Sequence, residues 1–546
     1  MDTKPDRGQL NSLPKETILE LYLQLLDRFD VLEEQNRELI RQSERLQENM
    51  AVLVQQRFGR KTEKSSEVCG QYVLDLENMC ILNEAEVITG NLYTPEPAVE
   101  DVVRRHVRPK GKRTADLKDI RTLVVEHTLP EEELASIFPD GYKRLPDEVY
   151  KDLEYIPSAF EVHEHHVAVY AARKGDTIVK ADRPKRLLGN SILTPSLGAA
   201  VINAKYVNAI PINRISAEFA RHDAAISRQV MAGWMIRLAE RYLSLIYDEM
   251  HDAILQNRLI HCDETPFIVA EDQKTRGPTA KSYMWLYHAT GRYGTPPIFL
   301  YEYQPTRKAD NPRGFLRDYK GILMTDGYQV YHTLADERPE ELRVAGCWSH
   351  LKRRYAEIIK ASGIKNVHGT IADEANRRIA AIYHLDNMFK EAPDAERLDN
   401  RRRSVKPLVD AFFEWVKATE PLVDHSSKTG AALDYSINQE RYLRAFLDDP
   451  DIPLDNNDAE RSIRTFCVGK HAWHVVDSVN GAKASGMIYS ISETAKANGL
   501  VPYYYFRYLF EELPKHMEDK STDFIKDLLP WSDKLPPECR PKPKTI

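Results

Sequence analysis

Three acidic residues stand where carboxylates need a purpose. Asp263 lies inside Leu259-Ile260-His261-Cys262-Asp263-Glu264-Thr265-Pro266-Phe267, and Asp326 inside Ile322-Leu323-Met324-Thr325-Asp326-Gly327-Tyr328. Glu460 sits at an expected helix start, Asn456-Asn457-Asp458-Ala459-Glu460-Arg461-Ser462-Ile463-Arg464, introduced by Pro453-Leu454-Asp455. Carboxylates are the hard oxygen ligands that magnesium prefers. Two such ions about 4 Å apart activate a nucleophile at neutral pH and neutralise a leaving oxygen, which is what phosphodiester chemistry requires. On this reading Asp263, Asp326 and Glu460 are catalytic residues and ligands of Mg2+, with Mn2+ able to substitute. Arg461 and Arg464 would then clamp phosphate oxygens with their planar forks. Each acid also has a plainer reading. Asp263 and Asp326 lie beside Pro266 and Gly327, where turn and cap residues occur, and Glu460 with Arg464 has the spacing of a helix ion pair.

The elements that must position these acids can be read from apolar periodicity. Leu259–Val269 is expected as a strand broken at Pro266, followed by strands at Ser282–Ala289, Pro297–Tyr303, Ile322–Thr325 and Leu342–Gly346, with a short helix around Phe315-Leu316. Cys347-Trp348-Ser349-His350-Leu351-Lys352-Arg353-Arg354-Tyr355-Ala356 then reads as a helix that is basic on one side, which makes His350, Arg353 and Arg354 candidate DNA contacts. Three successive strands followed by alternating helix and strand is the order of a ribonuclease-H-like mixed sheet. Asp263 and Asp326 would sit side by side at its strand ends, and a helix crossing the sheet would bring Glu460. Residues 366–447 form a helix-rich insertion between the second and third acids, with Ile379, Ile382, Leu385, Met388, Phe412, Phe413, Trp415 and Val416 as core. A helix from about Ala484 to Ala497 stops at Asn498-Gly499. The segment Tyr503–Phe510, opened by Pro502, is apolar almost all round and expected to be buried. The tail from Leu535 is rich in proline and lysine and is expected to be disordered.

Upstream, Leu25, Leu32, Leu39, Leu46 and Leu53 recur every seventh residue between Thr17 and Gln56, with Asn36 in the seam. This is a leucine-zipper pattern, and a seam asparagine favours a parallel two-stranded register. A homodimer or a higher oligomer follows; a long helix packed on its own protein is the plainer alternative. Arg104 to Arg113 interleaves cations with proline and glycine. Arg108, Lys110, Lys112 and Arg113 either track phosphates or belong to a solvated linker. Strand-like alternation at Thr122–His127 and Phe160–Tyr170 marks a small β-rich region. His163 and His165 share a face there, but no further ligands at zinc spacing are near. Pro211–Ala220, a turn at His222–Ala225 and Ser227–Arg237 have the form of a helix-turn-helix, with Ser227 as cap, Val230, Trp234 and Ile236 turned inward, and Arg228 and Gln229 offered to a groove.

At 546 residues the chain calls for several domains. Lys and Arg number 76 against 83 Asp and Glu, a net charge of −7, so any nucleic-acid surface must be local. No run of apolar residues reaches membrane-spanning length and the N-terminus is unlike a secretory signal, so a cytoplasmic location is expected. The six cysteines have no C-x-x-C spacing, which argues for reduced thiols.

Several stretches closely resemble the insertion-sequence-66 family of bacterial DDE transposases. They are Asp263-Glu264-Thr265-Pro266, Leu323 to Tyr328, Cys347-Trp348-Ser349-His350 with Arg353-Arg354, Asp455 to Arg461 with Val468-Gly469-Lys470 and Trp473, Ser492 to Gly499, and the zipper with Phe58-Gly59-Arg60. The resemblance spans nearly the whole chain. It implies a metal-dependent enzyme that cuts DNA at the terminal inverted repeats of an insertion sequence and joins the 3′ ends to target DNA, with Asp263, Asp326 and Glu460 as the acidic triad. It also implies accessory proteins encoded by the same element. One departure stands out: where such proteins commonly carry a C-x-x-C zinc region, this chain reads Val169-Tyr170-Ala171-Ala172-Arg173-Lys174-Gly175, and no zinc is expected. A DNA-binding regulator, or an inactive relic of a transposase, is the alternative function.

The expected fold class is therefore multidomain α/β. It comprises a coiled coil (1–60), a basic linker (61–119), a small β-rich region (120–185), a helical region with a candidate helix-turn-helix (186–250), a ribonuclease-H-like catalytic domain (251–365 and 448–500) with a helical insertion (366–447), and a C-terminal helix and tail (501–546).

Overall fold

The structure is a computed structural model, and it describes residues 159–541 apart from 172–177, 181–184, 292–293 and 363–368. These residues all belong to one compact unit. The zipper positions Leu25, Leu32, Asn36, Leu39, Leu46 and Leu53, the basic residues Arg108, Lys110, Lys112 and Arg113, and the run Thr122–His127 lie outside the described residues.

Of the small β-rich region, the described residues include a two-stranded antiparallel ribbon, β1 (Val169–Ala171) and β2 (Ile178–Lys180). The alternation from Phe160 to Tyr170 overstated this strand. Residues 160–168 have no regular structure, and Val162 is 94% exposed, so the alternating valines and histidines have no core to face. His163 and His166 instead pair with Glu161 and Glu164 on the surface.

Four helices follow: α1 (Pro195–Ile202), α2 (Ile212–Arg221), α3 (Arg228–Leu238) and α4 (Ser244–Ile254). Thr194 caps α1, with Pro195 in its first turn, and Ser227 caps α3 by accepting from the Val230 amide. The inward face of α3 is Met231, Trp234, Met235 and Leu238, whereas Val230 is 45% exposed. Val230 faces out because the buried stripe starts one residue later, at Met231, and continues at three- and four-residue steps.

Next come β3 (Leu259–Val269), α5 (Ala270–Arg276), β4 (Ser282–Thr290), β5 (Pro297–Gln304), α6 (Asp310–Phe315), β6 (Gly321–Thr325), α7 (Gln329–Glu337), β7 (Leu342–Gly346) and α8 (Trp348–Ser362). The sheet order is β5-β4-β3-β6-β7; β3, β4 and β5 run antiparallel in sequence, while β6 and β7 lie parallel to β3. β3 continues through Pro266 instead of breaking there. β6 pairs only Leu259–His261 and the short β8 (Val475–Val476) only Ile268 and Val269, so Pro266 has a ladder on its β4 side alone, a setting that tolerates a missing N–H.

The insertion supplies α9 (Ile371–Asn387), α10 (Asp394–Asn400), α11 (Lys406–Thr419) and α12 (Lys428–Leu443), after which the chain returns to the sheet through α13 (Asn457–Trp473), β8, α14 (Val479–Ala497), α15 (Pro502–His516) and α16 (Ile525–Leu528). Two cores flank the sheet. Leu323, Leu342 and Val344 join one with α1, α3, α4, α14 and α15, and Ile322, Met324 and Ala345 join the other with α8 and the insertion. The strict alternation at these positions is the period of two that a sheet covered on both faces requires. Ile379, Ile382, Phe412, Phe413 and Val416 belong to the second core and Leu385 and Trp415 pack against it, but Met388, just past the end of α9, is 64% exposed. In α15 Tyr505, Phe506, Leu509 and Phe510 are buried while Tyr504 is exposed, so the helix is one-sided rather than apolar all round.

The expectation of a disordered tail fails for residues 535–541. Leu535 and Cys539 are buried, and the Cys539 carbonyl accepts from the Val501 amide at 2.8 Å. Two apolar anchors and a backbone hydrogen bond outweigh the prolines, which cost little in an extended segment.

Candidate active site

The ladder between β3 and β6 brings two acids together. His261 pairs with Met324; Asp263 lies two residues further along β3, and Asp326 follows the last residue of β6 in the turn beyond it. The two carboxyls are near enough for the charge of Asp326 to act on Asp263. Asp263 Oδ1 accepts from the Glu264 amide at 2.9 Å, and Asp326 Oδ1 from the Tyr328 amide at 3.0 Å. The turn after β6 has Gly327 at φ 91°, where a Cβ would come within 2.7 Å of the Tyr435 hydroxyl, so glycine is required twice over. That hydroxyl, on α12, donates to the Asp326 carbonyl at 2.8 Å.

Glu460 arrives on α13, which lies along β3. Asn456, fully buried at the head of α13, accepts from His261 Nδ1 and donates to the Cys262 carbonyl, both at 2.8 Å. Its backbone N–H points to Cys347 Sγ at 3.2 Å. Further along, Lys470 Nζ donates to Thr265 Oγ1 at 3.1 Å and to the Pro266 carbonyl at 3.0 Å, and Phe466 meets Phe267 edge to face. Asn456, Lys470 and Phe466 thus tie the strand of the first acid to the helix of the third.

The Glu460 carboxylate does not pair with Arg464. Arg353 Nη2 donates to Glu460 Oε2 at 2.7 Å, and His350 Nδ1 lies 3.4 Å from Glu460 Oε1. Arg353 Nη1 also reaches His350 Nε2 at 3.2 Å, which leaves the imidazole proton on Nδ1, facing the carboxylate. Glu460 Oε1 and His350 Nδ1 are both buried without a well-formed hydrogen bond. Burial holds His350 below its ordinary pKa against the charges of Asp326 and Glu460. Burial, followed by the charges of Glu264, Asp326 and Glu460, pushes the Asp263 carboxyl well above the carboxylate range. Glu264 is pushed up to about 7 by burial and then by Asp326, against its partner Arg307.

Of the other residues singled out in the sequence, Arg354 stacks 3.9 Å over the Tyr435 ring. Arg461 pairs with Asp458 at 2.5 Å, and Arg464 is exposed one turn further on. Arg228 and Gln229 are exposed at the start of α3, a helix packed on α1, α2 and α14 and carrying none of the acids. Sequence reasoning passed over Asn456 as a clasp, Tyr435 as a support reaching in from the insertion, and the Glu264–Arg307 pair. The Asp-Asn-Asn run was the available signal for the first.

Among the described residues, two groups have metal-ligating atoms within 4.8 Å of one another: Cys347 with His350 and Glu460, and Glu420 with His425 and Asp434. The second lies in the insertion, where His425 already spends one ring nitrogen on each carboxylate. The first adjoins the acids. A set of desolvated carboxylates that repel one another, with Glu460 Oε1 and Glu264 Oε2 both buried and lacking a donor, fits a divalent cation with hard-oxygen preference.

The model described as "Transposase IS66 family" matches residues 190–484, from before α1 through the sheet and insertion into α14. The chain belongs to this family. The IS66 C-terminal element matches residues 490–531, the end of α14 through α16. Similar chains include three proteins of Sinorhizobium fredii, each described as uncharacterized. Protein y4qI is 27% identical over 449 residues, 80% of each chain, and y4hP is 25% identical over 487 residues, 87% of this chain and 86% of that one. Protein y4jD is 24% identical over 412 residues, 74% of this chain and 78% of its own length. The IS66 match takes in every element that bears an acid, and also Tyr435 and Asn456. Among the described residues no helix is long and apolar enough to cross a membrane.

Proposed function

We propose that the chain is a DDE transposase that cuts DNA at the ends of an insertion sequence and joins the 3′ ends to target DNA, on a sheet of ribonuclease-H-like strand order. What supports this reading is that Asp263 on β3, Asp326 just after β6 and Glu460 on α13 lie near enough for the charges of the other two to act on Asp263, in a chain of a transposase family. Asp263, Asp326 and Glu460 would hold Mg2+ or Mn2+, which supplies activation of the attacking oxygen and neutralisation of the leaving one. The chain's own groups do the rest. Asn456 fixes the spacing of β3 and α13, and Tyr435 fixes the turn that carries Asp326. Arg353 and His350 hold the Glu460 carboxylate in one orientation. Arg354, Arg461 and Arg464 are cations for the DNA backbone near the acids, and Arg228 and Gln229 on α3 are the contacts for the terminal repeats. The segment with Arg108, Lys110, Lys112 and Arg113 adds sequence-independent affinity. Zinc has no part in this reading, and the active form is a zipper-joined dimer or higher oligomer, with accessory proteins of the same element as partners.

Strand transfer of end-containing DNA with magnesium is the test, with Asp326→Ala folded as judged by circular dichroism. Groups that merely support metal ligands are worth roughly 10–100-fold, so loss of a ligand should exceed about a hundredfold. Undiminished transfer by Asp326→Ala would sink the catalytic assignment. DNA binding without any transfer by the unaltered chain would favour a regulator or relic.

A further inference from the structure

We infer that Arg307 is a DNA-phosphate contact built into the lip of the acidic cluster, oriented by Glu264 and Tyr328; this rests on the functional reading above. Arg307 follows β5 in a loop that touches β3 and the turn after β6. Its Nε donates to Glu264 Oε1 at 2.7 Å, and Nη2 reaches the same oxygen. Glu264 is the neighbour of Asp263 on β3, and its side chain is only 2% exposed. The guanidinium lies 3.8 Å over the ring of Tyr328, two residues beyond Asp326. Tyr328 in turn donates its hydroxyl to the Arg307 carbonyl at 2.6 Å. Main chain and side chain are therefore both held, and little rotamer freedom remains to be lost on binding.

These contacts use one edge and one face of the guanidinium. The remaining Nη1 has no hydrogen-bond partner among the described residues, and it is not among the buried unpartnered atoms, while the side chain is 40% exposed. An arginine needed only to neutralise Glu264 would gain nothing from a second, outward edge held rigid by a tyrosine. A fork with one free edge beside a cluster of carboxylates suits a ligand with anionic oxygens that must approach that cluster. The DNA backbone is such a ligand, and a phosphate next to the one being cut would meet Nη1. Arg354, stacked on Tyr435, whose hydroxyl bonds the Asp326 carbonyl, presents a second guanidinium braced by a tyrosine.

Binding of duplex DNA by the full chain tests this, read by fluorescence anisotropy in EDTA over a range of salt so that no cleavage contributes. Arg307→Ala should weaken binding about tenfold, alike for end-containing and unrelated duplexes, and flatten the plot of log affinity against log salt by about one unit. The double variant Arg307→Ala with Glu264→Gln removes the unpaired carboxylate that the single change leaves behind. It should show the same loss of slope if Arg307 touches phosphate. Binding and slope restored to those of the unaltered chain in the double variant would overturn the proposal and leave Arg307 as a counter-ion for Glu264. So would an unchanged slope in Arg307→Ala. These outcomes are independent of the transfer assay, so full activity of Asp326→Ala would sink the catalytic reading and leave this one standing; no DNA binding by the unaltered chain would overturn both.

Discussion

A buried carboxylate raises the free energy of the folded chain unless something holds it, and the same type of residue behaves differently in two places here. At Asp263 the penalty sits where a cation is expected. Glu302, on β5 opposite Trp285, carries a similar penalty with no such use: burial pushes its carboxyl up to about 7, against a hydrogen bond from Gln304, and its Oε2 has no partner. Below pH 4.5 the group is neutral in both states. Between 4.5 and 7 the unfolded chain ionises first and stability is lost, by about 3 kcal/mol once the pH exceeds the folded value. Glu302→Gln should therefore match the parent protein near pH 4 and be more stable at pH 8, as urea titrations at the two values would show. Equal stability at pH 8 would mean that the carboxylate is solvated in the native state.

Among the elements, the link between insertion and sheet has the largest consequences. Arg401, 1% exposed in the π-helical stretch Arg401–Val405 that joins α10 to α11, donates to Asp386 on α9 and to the carbonyls of Phe446, Asp449 and Ile452. That loop leads to Asn456, and its Asp449 and Asp451 side chains grip Arg258, the residue just before β3. The insertion is thereby tied to both ends of the site, at the loop before α13 and, through Tyr435, at the turn after β6. Arg401→Ala leaves Asp386 with Arg397 alone, at 3.5 Å, and removes the donor to three carbonyls, and a loss of about 3–5 kcal/mol is expected in chemical denaturation. A loss under about 1 kcal/mol would show that water enters to replace the guanidinium.

For the whole molecule, the proposed function turns on assembly, because a transposase acting on both ends of an insertion sequence would have to hold them together. Leu39→Glu with Leu46→Glu in the full chain puts four charges into the expected two-stranded seam. Light scattering should then report a monomer in place of a dimer, with the fold of residues 159–541 unchanged by circular dichroism. Persistence of the dimer would assign association to another surface.

Much of the α/β region that carries the three acids was readable locally. Strand and helix order, the cap at Ser227 and the stop at Asn498-Gly499 follow from short-range periodicity and backbone chemistry, and the structure shows them within a few residues. The misreadings came where local pattern met tertiary context. The Phe160–Tyr170 alternation had no core to face, Pro266 fell where one side of its strand carries no ladder, and the tail from Leu535 found a groove.

By itself the sequence determined which residue types are present and which run carries each acid, since periods of two and 3.6 are properties of neighbours along the chain. Only the tertiary structure decided the partners. Glu460 had an arginine at helix spacing four residues on, yet took one 107 positions away in sequence, Arg353, and Asn456 took its partners from β3, which its own run does not specify. Such choices depend on which buried groups must satisfy one another once β3, α8 and α13 are packed together, and spacing along the chain carries no record of that.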